Sequence, residues 1–491
     1  MNSSAKGVVR IFDCTIVVIL PDAEAQAAAL PIDVVLLRLP PCVQSKILSS
    51  FLSRSLVEMK NLKIFKFAVA STLVLASYSC GGSKKSHLNG HYEESDAAKN
   101  ANFKNAQRVS AEYAPAQGTI ISAPLLNDYD KLDLIKSLME KGIVWLVVAG
   151  NEESTQQQIS KYLKKNGANI QNLKFVPATG ASYTQSVWAR DWSPLLAFPL
   201  KKESNALPRM LDLNYYNKRP LDDGAPRALA NVESWGRVSV PVYNEGGNFM
   251  INSRGDCLMT TRVIDANAKA IKSDDQVLDA QGVSEYYKIF AGCTAVHIFP
   301  RMPEEGTGHI DMWAKFLNDD TILMNELSQK TLDTLSGSEL ATAKKIQKWL
   351  TERAVDLEKL GFKIERIPMP APLYSGGQLV IRSYTNSLLM NGTALIPEYK
   401  SPAQVQFTRN IISENRISHI FAQENRKLTT AKNIQAQSWG VYPDSDYLPE
   451  YTASVKAAYE KFGFKAAFFE SDDLIFMGGA IHCVTMQVPR L

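Results

Sequence analysis

Residues that build metal and redox centres are scarce in this chain. Six cysteines and six histidines are spread through 491 residues. No Cys-x-x-Cys occurs, and none of the candidate residues below sits in a His-x-x-x-His, so spacing gives a zinc site no support. An excess of one charge is also missing. Lys and Arg number 54 against 50 Asp and Glu, a net +4 without a long basic run, which argues against nucleic acid as a partner. No Gly-x-Gly-x-x-Gly follows a strand pattern, so a doubly wound dinucleotide fold lacks its signature. The apolar run Phe67 to Ala76 is too short to span a bilayer. What is present is ordinary globular composition, 45% hydrophobic and 21% charged. The length allows two or three average domains, or one large repeat-built domain with appendages.

The first eighty residues stand apart. Met59-Lys60-Asn61-Leu62-Lys63-Ile64-Phe65-Lys66 opens a second possible start, followed by the apolar run and then Ser77-Tyr78-Ser79-Cys80-Gly81-Gly82. A positive region, a short apolar region and small residues before a cysteine form a secretory signal. Residues 59–80 resemble a bacterial lipoprotein signal in which Cys80 is lipidated, although Ser77 stands where leucine is usual. A plain signal peptide cut nearby is the rival. Residues 1–58, broken by prolines at 21, 31, 40 and 41, read as an upstream extension from a misplaced start. Residues 81–108 are polar and read as a flexible tether, leaving 109–491 as the folded body. The expected location is outside the cytoplasm, at a bacterial membrane through a lipid anchor. Only Cys257, Cys293 and Cys483 belong to the body, so at least one is unpaired.

Along the body one pattern recurs: amphipathic helix, glycine, strand. Leu132 to Lys141 leads to Gly142 and Ile143 to Val148, and Gln156 to Asn166 leads to Gly167 and Leu173 to Val176. Ser284 to Ala291 with Gly292, Ser338 to Leu360 with Gly361, and Tyr451 to Phe462 with Gly463 repeat it. Each glycine suits the left-handed residue that ends a helix. Hairpins alternate with these helices. Asn248 to Asn252 pairs with Cys257 to Thr261, Thr385 to Met390 pairs with Thr393 to Pro397 across Asn391-Gly392, and a third spans 309–324. The predicted architecture is α/β, built of strand-strand-helix-strand modules repeated around an axis.

Several stretches carry chemistry. Gly306-Thr307-Gly308-His309-Ile310-Asp311 puts an imidazole and a carboxylate two apart, which on a strand share one face. Trp188-Ala189-Arg190-Asp191-Trp192 sets an acid between indoles, suited to gripping a flat cation, or forms a structural Arg–Asp corner. Glu245-Gly246-Gly247-Asn248 places an acid beside glycines that permit close backbone approach, and Asn386 precedes the Asn-Gly turn. Gly478-Gly479-Ala480-Ile481-His482-Cys483 puts a cysteine on an expected strand, with His482 facing away and His309 as the better partner.

In that order, and together with Ala111-Glu112-Tyr113-Ala114-Pro115, these motifs resemble the guanidino-modifying deiminases, specifically the bacterial peptidylarginine and agmatine deiminase family. The resemblance implies a five-module, pseudo-symmetric α/β propeller. It also implies a cysteine-dependent hydrolase that deiminates a guanidinium through a covalent thiouronium, with no metal or organic cofactor. Cys483 would be the nucleophile, His309 the general acid/base, Asp191 and Asp311 the guanidinium clamp, and Glu245 a neighbour of His309, with Trp188 and Asn386 lining the substrate pocket. Tyr216-Asn217-Lys218-Arg219 resembles a loop that holds a peptide carboxylate, with Lys218 where arginine is expected. The partner is thus a small guanidino substrate or an arginine-containing peptide. Agmatine deimination in putrescine biosynthesis and a non-catalytic cation-binding lipoprotein are the alternatives.

Overall fold

The structure, a computed structural model, describes residues 107–127, 129–150, 153–178, 186–200, 207–216, 219–269, 277–375, 378–400 and 443–490, with two short strands near the start. The chain divides into two units, Met1–Leu88 and Asn89–Leu491. In the first unit, Ile11–Phe12 pairs antiparallel with Thr15–Ile16. The lipoprotein-type signal, Cys80 and the tether up to residue 106 lie outside the described residues. The strand Gln107–Val109 begins inside the stretch assigned to the tether. Among the described residues, no helix is long and apolar enough to cross a membrane.

In the second unit the described strands form five sheets of three or four strands, plus the small pair Leu373–Ser375 and Gln378–Val380. Each larger sheet combines an antiparallel pair with a parallel strand delivered by a helix. Met250–Ile251 and Asp256–Thr260 form a hairpin, and Ala280–Tyr286 returns the chain so that Ala295–Phe299 lies parallel to its second strand. Ala314–Phe316 and Thr321–Glu326 do the same with helix Gly337–Lys359 and strand Lys363–Pro368. Leu388–Met390 and Thr393–Glu398 follow suit with Leu448–Lys461 and Lys465–Glu470. Leu195–Pro199, Arg209–Asn214 and Gly236–Tyr243 repeat the unit around Ala225–Glu233, with Gln107–Val109 added at the edge. In the fifth, Ala116–Ser122, Ile143–Ala149 and Leu173–Ala178 are parallel, and the antiparallel partner is Met486–Pro489 from the far end of the chain. The helix-glycine-strand pattern survives because apolar periodicity reports which face of each helix must leave water.

Local chemistry explains the turns. Asn391 and Gly392 both have positive φ, at 50° and 74°, the backbone that a two-residue hairpin turn demands. Gly167, Gly292, Gly361 and Gly463 are left-handed as expected, with φ from 71° to 94°. Gly142 is not. Its φ is 170°, which any residue adopts, and its requirement is space: an added Cβ would lie 2.5 Å from the Gln117 carbonyl oxygen. The sheets bury aromatic and aliphatic side chains between themselves and their helices. Trp313, fully buried, meets Phe299 and Trp349 edge-on and so ties two neighbouring sheets to helix Gly337–Lys359.

Cys257 and Cys293 form a buried disulfide that spans 36 residues and links a hairpin strand to the turn before Ala295–Phe299. Cys483 is the free cysteine among the described residues. A loop of that length gives roughly 3–4 kcal/mol of stabilisation, mainly by restricting the unfolded chain. Replacing both Cys257 and Cys293 by alanine should therefore lower unfolding free energy in urea by about 2–4 kcal/mol. An unchanged midpoint would mean that the bond contributes nothing to the fold.

Candidate active site

The side chains singled out in the sequence arise where one sheet ends and the next begins. Asp191 lies between Leu173–Ala178 and Leu195–Pro199, and Glu245 between Gly236–Tyr243 and Met250–Ile251. His309 and Asp311 lie between Ala295–Phe299 and Ala314–Phe316. Asn386 precedes Leu388–Met390, and Cys483 precedes Met486–Pro489. Five inter-sheet connections thus supply one site.

Two of them differ from the sequence expectation. His309 and Asp311 are not on a strand. His309 is extended, Ile310–Met312 is a 3-10 turn, and the hairpin starts only at Ala314. Gly308, with φ 71°, and the Glu305 carboxylate, which accepts from the Thr307 and Gly308 backbone N–H groups, fold the chain back before a strand can form. Cys483 is likewise on a turn, closed by the bond from Val484 N–H to the Ala480 carbonyl. That turn does not send His482 away from the chemistry. The ring lies 2.7 Å from Asp311 Oδ2 through Nδ1 and 2.6 Å from Glu112 Oε2 through Nε2.

The convergence is measurable at two glycines. A Cβ on Gly247 would stand 2.7 Å from His309 Nδ1, 3.0 Å from Asp311 Oδ2 and 3.1 Å from Asp191 Oδ1. A Cβ on Gly479 would stand 2.7 Å from Cys483 Sγ and 2.8 Å from Trp188 Cζ3. Glycine is required here because the neighbouring side chains need the space its Cβ would fill. The Cys483 thiol lies 3.6 Å from Asp311 Oδ2 and receives the Asn386 amide at 3.2 Å. Asp311 Oδ1 and His309 Nδ1 are buried without a hydrogen-bond partner in the protein.

Glu245, expected beside His309, and Asn386, expected to line the substrate pocket, have their polar atoms engaged inside the protein. Glu245 binds His309 Nε2 at 2.9 Å and accepts from Arg262 and the Tyr216 hydroxyl. Asn386 Oδ1 accepts from the Ala480 N–H at 3.0 Å and the Cys483 N–H at 3.4 Å, so it holds the cysteine turn. Arg219 stands at the rim, donating to the Tyr215 hydroxyl with its guanidinium over the Tyr216 ring. Lys218 lies outside the described residues.

Burial and charge set the protonation states. Burial lifts the Cys483 thiol to about 12, helped by Asp311 and Asp191 and opposed by His309. Burial would lower His309, but Asp191, Glu245 and the thiol outweigh it and hold the imidazole well above its ordinary range. Asp191 is pushed to about 7, by burial first and by Glu245 and Asp311, against the pull of His309. For Asp311 burial is outweighed by His482, His309 and Lys315, so its carboxyl is lowered. The resting site therefore holds a neutral thiol beside an imidazolium.

Sequence reasoning missed the layer behind these groups. Glu112 takes Lys315 Nζ at 2.7 Å and the Leu389 N–H at 2.9 Å on Oε1, with His482 and Arg190 on Oε2. Its only signal was its place in the Ala111 to Pro115 motif. A cavity of about 40 Å³, lined by Glu112, Arg190 and Lys315 among others, lies on this rear side, and Cys483 and His309 do not line it.

A family model described as Porphyromonas-type peptidyl-arginine deiminase matches residues 108–425, well over half of the 491-residue chain. The chain belongs to this family. The matched span of this deiminase ends before Cys483. A provisionally named agmatine deiminase of Shewanella baltica (strain OS195) is 21% identical over 315 residues, 62% of this chain and 73% of that protein. Among solved structures, C. jejuni agmatine deiminase with substrate bound has a TM-score of 0.52 at 15% identity, covering 78% of this chain and 96% of that one. Agmatine deiminase of Enterococcus faecalis has 0.54 at 14%, covering 79% and 97%. These likenesses show a shared mixed α/β fold.

Gly247→Ala tests the geometry of this deiminase. A methyl group inserted among His309, Asp191 and Asp311 displaces them, and shifts near 1 Å in such sites cost on the order of a hundredfold. Activity should fall at least that far with urea unfolding nearly unchanged. A loss below about tenfold would show that the three groups do not act as one constellation.

Proposed function

We propose that this deiminase hydrolyses a substrate guanidinium to a ureido group and ammonia, with Cys483 as nucleophile. The observation that carries the proposal is a buried thiol beside Asp311, whose Oδ1 makes no hydrogen bond in the protein, and beside His309, whose Nδ1 makes none and stands 3.8 Å from Asp191 Oδ1. A buried carboxylate without a partner is costly, and a planar cation with several N–H donors removes that cost. Asp191 and Asp311 clamp the guanidinium. Its positive charge offsets the two acids that add to burial in raising the thiol, so Cys483 releases its proton to solvent when substrate arrives.

The thiolate adds to the guanidinium carbon, and His309, already an imidazolium, protonates one amino group. Ammonia leaves and a thiouronium remains on Cys483. His309, now neutral, removes a proton from water, whose oxygen adds to the same carbon. Collapse breaks the C–S bond, the hydroxyl proton passes to solvent, and the ureido product and the thiolate result. Glu245, fixed by Arg262, keeps the imidazole in place. Trp188 closes one side of the pocket.

Peptidyl-arginine is the substrate that the family description and the exposed Arg219 at the rim favour, with Arg219 and Lys218 holding a peptide carboxylate. Agmatine, which has no carboxylate, is the second reading, supported by relatives that carry that name. We also propose that the five sheets surround a pseudo-symmetry axis, since each contributes a connection to one site. A crystal structure with the sheets in an open row would overturn that. Export with lipidation at Cys80 agrees with the buried Cys257–Cys293 disulfide, because such bonds persist in oxidising compartments.

Product analysis of the 81–491 fragment with peptidyl-arginine, free arginine and agmatine decides the substrate. Arg219→Ala should lower peptide turnover about tenfold to a hundredfold, the worth of a charge-assisted hydrogen bond, and leave agmatine turnover unchanged. Strong agmatine turnover with none on peptides would reverse the assignment. Cys483→Ser should abolish turnover, and a haloacetamidine should label Cys483. Full activity in Cys483→Ser would sink the covalent mechanism. Radiolabelled fatty acid should enter the protein when translation starts at Met59 and should fail to enter Cys80→Ala. An unlabelled chain would favour plain secretion.

A further inference from the structure

The rear layer holds five ionisable side chains, four buried and Glu112 nearly so, that the chemistry above does not use directly or uses only through one member. Lys315, Glu112, His482 and Asp311 form a continuous chain, with Arg190 alongside, its Nε donating to the His482 carbonyl at 3.3 Å. Each member comes from a different connection or strand of the fold. Asp311 is fully buried and His482 is 1% exposed, so both are shielded from bulk solvent.

Resting on the reading of Asp311 as a guanidinium clamp, we propose that Glu112 and His482 are positioning residues for that carboxylate. His482 stands between the two carboxylates, Nδ1 within hydrogen-bond distance of Asp311 Oδ2 and Nε2 of Glu112 Oε2. Glu112 is itself immobilised by Lys315 and the Leu389 N–H, so the imidazole has one orientation. The terminal torsion of an aspartate is soft, and one occupied oxygen fixes it. Because Oδ2 is occupied by His482 and faces the thiol, Oδ1 is the oxygen left to meet a substrate N–H.

The relay also sets charge. The groups facing Asp311 are His482 and Cys483 on the cysteine turn, His309 on its own segment, Asp191 and Arg190 on the Ala189–Trp192 helix, and Lys315 on Ala314–Phe316. Burial alone would raise the Asp311 carboxyl, and His482 leads the groups that reverse this. Without His482, burial gains weight and Asp311 takes up a proton at higher pH. Asp191, at about 7, already must lose a proton for a cation to bind. In the native site one carboxylate titrates in the useful range, and in a relay variant two do.

The test is calorimetric titration of methylguanidinium into Cys483→Ala, which cannot react, across about pH 5 to 8. In this parent the logarithm of the association constant should fall with a slope near one below about pH 7, from the single proton taken up by Asp191. Adding His482→Ala should steepen the slope toward two and weaken binding at about pH 5 by at least tenfold, with a smaller effect at about pH 8. His482→Asn, which keeps a donor beside Oδ2, should recover part of that loss, and it serves if the alanine variant does not fold. In the otherwise native enzyme, Glu112→Gln should lower kcat more than it raises KM. A slope still near one, with parental affinity in both His482 variants, overturns the relay and leaves the clamp standing. No guanidinium binding by the Cys483→Ala parent at any of these pH values overturns the clamp and the relay with it.

Discussion

The structure depends on two carboxylates buried where their charge is not fully matched. Asp191 and Asp311 flank a thiol and an imidazole, Asp311 fully buried and Asp191 largely so, and one oxygen of Asp311 has no hydrogen-bond partner. Moving an ion out of water costs several kcal/mol even after relaxation, so such an arrangement persists only where the rest of the fold enforces it. The cost appears in the protonation states. The thiol is lifted to about 12, Asp191 to about 7, and His309 is held charged. On the proposed function, an entering guanidinium relieves these strains together, because one planar cation satisfies both acids and offsets the part of the thiol's shift that they add to burial. Specificity for a cation and activation of the nucleophile are then the same electrostatic event.

Topology delivers the groups to that event. Each sheet makes an antiparallel turn and receives a parallel strand by way of a helix, so its connection to the next sheet emerges at a consistent place. Asp191, Glu245, His309 with Asp311, Asn386 and Cys483 occupy those connections in chain order. Connections are poorly suited to hold precise geometry unless something pins them, and here the pins are specific. Asn386 grips the cysteine turn, Glu305 folds back the turn before His309, and Gly246 lets backbone pass so close to the Arg190 carbonyl that a Cβ would lie 2.1 Å from it.

Much of this was legible in the sequence, for identifiable reasons. Helices such as Leu132–Lys141 and Gly337–Lys359 announce themselves because one face must be apolar, and the glycine and strand behind them follow from the same need to turn back and pair. The order of the Trp188, Glu245, His309 and Cys483 motifs pointed to one chemistry. The errors arose where polar alternation imitates a strand. His309-Ile310-Asp311 reads as period two, but Gly308 and the Glu305 cap make a tight turn there. His482 was misjudged because facing rules for strands do not hold on a turn. Glu112 carried no role at all, because its partners Lys315 and His482 are 203 and 370 residues away, beyond any local pattern.

That blind spot is where the physical logic of the fold is most exposed. Buried ionic networks are weak evidence for stability, and apolar side chains of similar volume often hold a protein together better than Lys315, Glu112 and Arg190 do. Their value must be sought in what an apolar core cannot do. Dispersion contacts fix where a side chain sits but not which carboxylate oxygen points at a ligand, whereas donors from two directions fix both. Glu112 joins the cysteine turn, the Ala189–Trp192 helix, the Ala314–Phe316 strand and the Leu388–Met390 strand through one carboxylate. A displacement of any of these elements is therefore felt at His482, and through it at Asp311. On the proposed relay, the free energy spent on burying charge in this layer is returned as orientation at Asp311 Oδ1, a buried oxygen that makes no hydrogen bond within the protein.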